Sequence, residues 1–180
     1  TKKLIDSKTL SAFKIQSLVL TYSEEECKTV KGMSYQDEMD YIVTHKTRNK
    51  FIKDLTLNLK GNTLVLFQYV EKHGNVLHQM ISEEATDRKV FYVYGGTDTK
   101  TREDIRAITE NEKNAIIVAS YGTFSTGINI RNLHNIVFSS PSKSRVRTLQ
   151  SIGRGLRKSE SKDTATLYDI ADDFTHKSKR

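Results

Sequence analysis

The stretch "LQSIGRGLRKSE", residues 149–160, gathers chemistry that burying a core does not require. Gln150, Gly153, Arg154 and Arg157 stand at i, i+3, i+4 and i+7, so a helix places all four on one face. Two glycines, Gly153 and Gly155, each weaken such a helix by roughly 1 kcal/mol relative to alanine. Arg154 and Arg157 carry planar forks that suit phosphate oxygens, Gln150 both donates and accepts, and a missing side chain at Gly153 lets another group approach. Pro141 and Ser142 mark the start of this helix, whose pattern spans about 143–157. The composition favours a phosphate-handling surface over a solvated basic helix.

Two other turns offer related chemistry. After the apolar run "KVFYVY" comes "GGTDTKTRED", where Gly95 and Gly96 permit a tight turn or close approach, Thr97 offers a hydroxyl, and Asp98 or Thr99 can cap the next helix. After "AIIVAS" comes "YGTFSTGINI", where Ser120, Thr123, Ser125 and Thr126 surround Gly122 and Gly127. Hydroxyls and amides of this kind contact phosphate and sugar without reading bases. A P-loop occurs nowhere in the chain, and the five histidines show no metal-ligand spacing. "DIADDF" (169–174) reads as structural, so no metal site is expected. This chain can stabilise phosphate charge but cannot seat ATP by itself.

The elements that must position these turns follow from the apolar pattern. Runs at 14–20, 63–67, 89–94, 115–120, 135–140 and 165–170 are rich in β-branched and aromatic residues and suggest strands buried on both faces. Helical patterns fall between them, at about 35–59, 69–81, 100–111 and 143–157. The long one carries Tyr35, Met39, Ile42, Phe51, Ile52, Leu55 and Leu59 as its buried stripe. Residues 22–38 read as an irregular loop leading into it. The alternation predicts an α/β fold, a parallel sheet with helices on both faces. Residues 1–60 form a less regular leading segment packed on a core of residues 61–180, the whole being one domain.

The chain has 180 residues, a net charge of +7 and one cysteine, Cys27, which excludes a disulfide framework. Residues 141–180 hold ten Lys or Arg against five Asp or Glu, an asymmetry that points to a polyanionic partner. No run approaches membrane-spanning length, and a cytoplasmic, reducing compartment is expected. The start at Thr1 suggests a piece of a longer protein.

Taken in order, "TLVLFQYVEKHG", "VYGGTDTKTRE", "VASYGTFSTGINI" and "QSIGRGLR" resemble motif IV, the following glycine-threonine segment, motif V and motif VI of superfamily 2 helicases, over about residues 60–172. The resemblance implies a RecA-like domain, the second of a motor whose N-terminal RecA-like domain holds ATP and Mg²⁺. It implies that Arg154 and Arg157 are arginine fingers, that Gln150 and Gly153 lie at the nucleotide with Gly127 and Asn129, and that Gly95, Gly96, Thr97, Ser120 and Thr123 line the tracked DNA strand. Many relatives carry Asp where Asn129 stands. Remodelling of branched DNA (recombination intermediates, stalled forks and R-loops) is the implied activity, with branched or single-stranded DNA the implied partner. The rival readings are a non-enzymatic nucleic-acid-binding module and a phosphate-sensing regulatory domain of flavodoxin-like shape.

Overall fold

The computed structural model describes residues 12–125, 130–143, 145–155 and 164–175. Six strands, β1 (Ala12–Thr21), β2 (Thr63–Phe67), β3 (Val90–Val93), β4 (Ile116–Ser120), β5 (Asn135–Phe138) and β6 (Thr164–Asp173), form one sheet in the order β1-β6-β5-β2-β4-β3. Every pairing is parallel. The helices are α1 (Glu24–Lys31), α2 (Tyr35–Thr44), α3 (Lys46–Asn58), α4 (Asn75–Glu84), α5 (Thr99–Asn111), α6 (Tyr121–Ser125) and α7 (Arg145–Gly155).

Alternate residues of the central strands face opposite helix layers. Leu64 and Leu66 of β2 pack with Ile105 of α5, Phe124 of α6 and Ile152 of α7, whereas Val65 and Phe67 pack with Ile52 of α3 and Leu77 and Ile81 of α4. All four β2 residues are fully buried, each worth roughly 1.5–3 kcal/mol of apolar transfer. The connections that step along the sheet in one direction, β1 to β2 through α3 and β2 to β3 through α4, pass over one face. Those that step back, through α5, α6 and α7, pass over the other, as a constant crossover hand demands. The helices following β2 and its neighbours β4 and β5 therefore diverge to opposite faces. That divergence opens a crevice at the carboxyl end of β2, the place where such sheets bind ligands.

The fold corrects five sequence expectations. Residues 22–38 are not an irregular loop: Ser23 and Glu26 form a capping box that starts α1, and Ser34 caps α2. The long helix at 35–59 is two helices, broken at His45, whose backbone is extended and whose Nδ1 accepts from Arg48 N at 3.2 Å. With Nδ1 an acceptor, Nε2 carries the proton and donates to Glu26 Oε1 at 2.6 Å, which holds that carboxyl down to about 2. The buried stripe fails at Tyr35, which is 58% exposed. The pattern at 69–81 becomes a single π turn, Val70–Gly74, before α4. Finally, not all strands are buried on both faces: β1 lies at the edge and leaves Ile15 and Val19 exposed.

Buried polar groups tie the layers. Arg48, 2% exposed, donates through Nε and Nη2 to both oxygens of Asp172 at 2.7 and 3.0 Å and through Nη1 to Ser139 O at 2.6 Å. Tyr22 donates its hydroxyl to the same carboxylate. Asp172 of "DIADDF" is thus a structural anchor joining α3 to β6. At the amino edge, Asn62 donates to the carbonyls of Thr109, Glu112 and Asn132 and accepts from Ala115 N.

Candidate nucleotide and nucleic-acid face

Of the residues the sequence singles out, those in the turns after β3 and β4 lie along the carboxyl edge of the sheet. β4 runs without a break into α6, because Tyr121 and Phe124 are buried and pull the turn onto the sheet. Tyr121 donates to Ser140 O at 2.8 Å, tying the end of β4 to the segment after β5, and burial pushes its phenol pKa up. Ser120 and Thr123 are 8% and 4% exposed, and their hydroxyls bond to each other at 2.6 Å. Their side chains hold the turn's shape, while Gly122 between them is the exposed residue, with nothing within 4 Å of where a Cβ would stand.

The turn after β3 lies beside it. Thr97 accepts from Tyr94 N at 3.1 Å, and its own N–H donates to Tyr94 O. Asp98 caps α5 by accepting from Thr101 N at 2.9 Å, and its bonds to Thr101 hold its carboxyl pKa down. Gly95 and Gly96 are exposed. A Cβ on Gly96 would stand 2.7 Å from the Tyr94 ring, so glycine is what lets that ring lie along the turn; Gly95 faces open space.

α7 completes the edge. It docks on α6 through Ser151 Oγ donating to Phe124 O at 2.8 Å, with Ile152 and Phe124 in one core cluster. Arg145 donates to Asp169 Oδ2 at 3.0 Å and lies 6.0 Å from the Phe138 ring centroid, which pins the helix start to β5 and β6. Gln150 is exposed, as are Val146 and Arg147. Gly153 is buried. The α7 backbone carries Arg154. Arg157, Gly127 and Asn129 lie outside the described residues. The fold thus brings the turns at 95–97 and 120–123 and the helix bearing Gln150 and Arg154 to one edge. The exposed backbone at Gly122 is the feature hydroxyl counting missed; two hydroxyls three residues apart astride a glycine are the signal for it.

Among the described residues, no group of three or more His, Cys, Asp or Glu side chains comes together as a metal site. No described helix is long and apolar enough to cross a membrane.

This arrangement has relatives. The model of the helicase conserved C-terminal domain matches residues 46–159. The chain is 42% identical over 175 residues to the ATP-dependent DNA helicase uvsW of Enterobacteria phage T4, covering 96% of this chain and 34% of that protein. It is 25% identical over 172 residues to the putative ATP-dependent helicase IRC3 of Saccharomyces cerevisiae, covering 93% of this chain and 24% of that one. The chain therefore spans about a third or less of the curated relatives it matches. The crystal structure of T4 UvsW superimposes with a TM-score of 0.80, over 96% of this chain and 35% of that one. The E. coli DEAD-box protein SrmB, at 13% identity, shares the fold alone, with a TM-score of 0.58 over 88% of this chain and 78% of that one. A parallel sheet with helices on both faces, motif-bearing turns along its carboxyl edge and a family match over more than half the chain lead to one conclusion: this protein belongs to the helicase conserved C-terminal domain family and has its RecA-like fold.

Proposed function

We propose that the chain is the second RecA-like domain of an ATP-dependent DNA helicase that remodels branched DNA in the cytoplasm. In this reading, Arg154 and Arg157 are arginine fingers, and Gln150 couples the nucleotide state to domain closure. Gly127, Asn129 and Gly153 lie at the nucleotide. Gly95, Gly96, Thr97, Ser120 and Thr123 build the turns that grip the DNA backbone. ATP and Mg²⁺ are held by an N-terminal RecA-like partner domain, since this chain has no P-loop. The observation that carries the reading is the bond from Ser151 to Phe124 O, which fixes the arginine-bearing helix to the turn that follows β4. One docked unit then joins the nucleotide side to the DNA side.

The chemistry follows from charge. A transferred phosphoryl group spreads negative charge over its oxygens, and a guanidinium fork placed there stabilises it; such fingers are worth about 10³ to 10⁵ in rate. Because the fingers stand on a different domain from the phosphates, turnover requires closure, and each closure moves one DNA grip relative to the other. Contacts made mainly to phosphate keep that movement independent of sequence.

The test uses the 180-residue chain and the whole protein side by side. The chain alone is expected to show no ATP turnover and to bind single-stranded DNA weakly, with the logarithm of affinity falling linearly against the logarithm of salt. The whole protein is expected to turn over ATP only with DNA present. Turnover by the chain alone, above that of an Arg154→Ala, Arg157→Ala double variant, contradicts the reading. Salt-independent binding or a strong preference for one sequence also contradicts it.

A further inference from the structure

A cleft of about 220 Å³ opens at the carboxyl ends of β2 and β5, lined by Tyr35, Gln68, Tyr69, Pro141, Ser142 and Lys143. It sits at the point where the helices after β2 and β5 diverge, on the same edge as the turns at 95–97 and 120–123. Three features of this cleft do not serve the core. Tyr35 stands at the first position of α2 with 58% of its surface in solvent, although a helix start calls for no large aromatic there. Lys143 places its ammonium 5.9 Å from the centroid of that ring and makes no ion pair with any described carboxylate. Ser142 Oγ donates to Gln68 Oε1 at 2.8 Å, which ties the two strand ends together and leaves the exposed Gln68 amide its NH₂ group as a donor.

An aromatic ring with more than half its surface in solvent, a cation over one of its faces and an oriented amide at the rim match the three parts of a nucleotide: base face, phosphate and base edge. Aromatic faces accept any base, since each has a π surface, and a lysine reads a phosphate as a point charge. We propose that Tyr35 and Lys143 form a stacking clamp for one nucleotide of a bound single strand, with the base on the face of the Tyr35 ring that Lys143 does not cover, the adjoining phosphate on Lys143 and Gln68 at the base edge. The clamp rests on the motor reading above and adds to it a base-directed contact. Tyr35 lies outside the segment matched by the helicase family model, so the contact belongs to this chain's own leading segment.

The experiment is a titration of the whole protein with two single-stranded oligonucleotides of equal length. One bears bases and a single 2-aminopurine; the other is abasic. Tyr35→Ala is expected to weaken binding of the base-bearing strand about five- to tenfold and to leave abasic binding unchanged, while Tyr35→Phe keeps wild-type affinity for both. Lys143→Ala is expected to weaken both strands and to reduce the magnitude of the salt slope by roughly one. Equal effects of Tyr35→Ala on the two strands, or no effect on either, overturns the clamp. DNA-dependent ATP turnover by the wild type is read in the same samples. Its absence counts against the motor reading, whereas its presence with unchanged strand affinities in Tyr35→Ala counts against the clamp alone.

Discussion

The buried polar side chains show how single residues fix the geometry of this domain. Arg48 and Asp172 are 124 positions apart, yet their paired hydrogen bonds join α3 to the end of β6. No local pattern in the sequence announces such a pair, because it arises only when β1, β6 and α3 come together. His73 is similar. It is fully buried in the π turn, with Nε2 donating to Asn49 Oδ1 at 3.0 Å, and burial, aided by the nearby Arg48 charge, pushes its pKa from 6.5 down to about 3. Below pH 6.5 the unfolded chain takes up a proton that the folded chain refuses until pH falls to about 3. The stability this neutral histidine contributes is therefore complete above pH 6.5 and is lost as pH falls through that window, by up to about 1.4 kcal/mol per pH unit. Denaturant unfolding of the chain at about pH 7 and about pH 5 measures it. The His73→Gln variant is expected to lose less stability between the two than the wild type, whatever its own starting stability. Equal losses contradict the assignment.

At the scale of elements, legibility followed burial. β2, β4 and β5 are mostly apolar and buried along their whole length, and they read as doubly covered strands because a parallel sheet between helix layers buries such runs. The parallel sheet and the helix bearing Gln150 were likewise visible, the latter from the spacing of Gln150, Gly153 and Arg154. Residues 22–38 read as a loop for a definite reason. α1 is mostly polar, with only Cys27 and Val30 buried, so its apolar period is too sparse to see. Its signal was the cap: Ser23 followed three residues later by Glu26, with Ser23 Oγ accepting from Glu26 N and Glu26 accepting from Ser23 N. The break at His45 was hidden because apolar residues continue on both sides of it. Likewise Ser120 and Thr123 look like ligand groups in sequence, and only the fold shows them bonded to each other. If the cap sets α1, Ser23→Ala lowers stability by about 1 kcal/mol in urea unfolding and Ser23→Asp restores most of it. A Ser23→Ala variant as stable as the wild type would mean that packing of Cys27 and Val30 alone holds the helix.

For the whole molecule, the proposed function turns on one property: the helix bearing Gln150 and Arg154 is docked on the turn that follows β4, and in that reading the phosphates its arginines act on are bound by another domain. The net charge of +7 suits a polyanionic partner bound without choice of sequence, as the proposed function requires. The docking of α7 on α6 would, in the proposed reading, make the position of the arginines depend on how this edge meets the N-terminal domain. A finger acts on the transition state and not on ground-state binding, so its removal separates catalysis from affinity. The measurement that tests this most directly is ATP turnover at saturating DNA, with DNA affinity in parallel, for Arg154→Ala, Arg157→Ala and the two lysine variants of the whole protein. Arg157→Ala is expected to turn over ATP slower by roughly two or more orders of magnitude, with DNA affinity changed by less than about tenfold. Lysine is expected not to restore turnover, since an ammonium lacks the planar fork. Normal turnover in all four variants, or a fall in DNA affinity that lysine repairs while turnover survives, would contradict the account and leave the segment at 149–160 a basic DNA-binding patch.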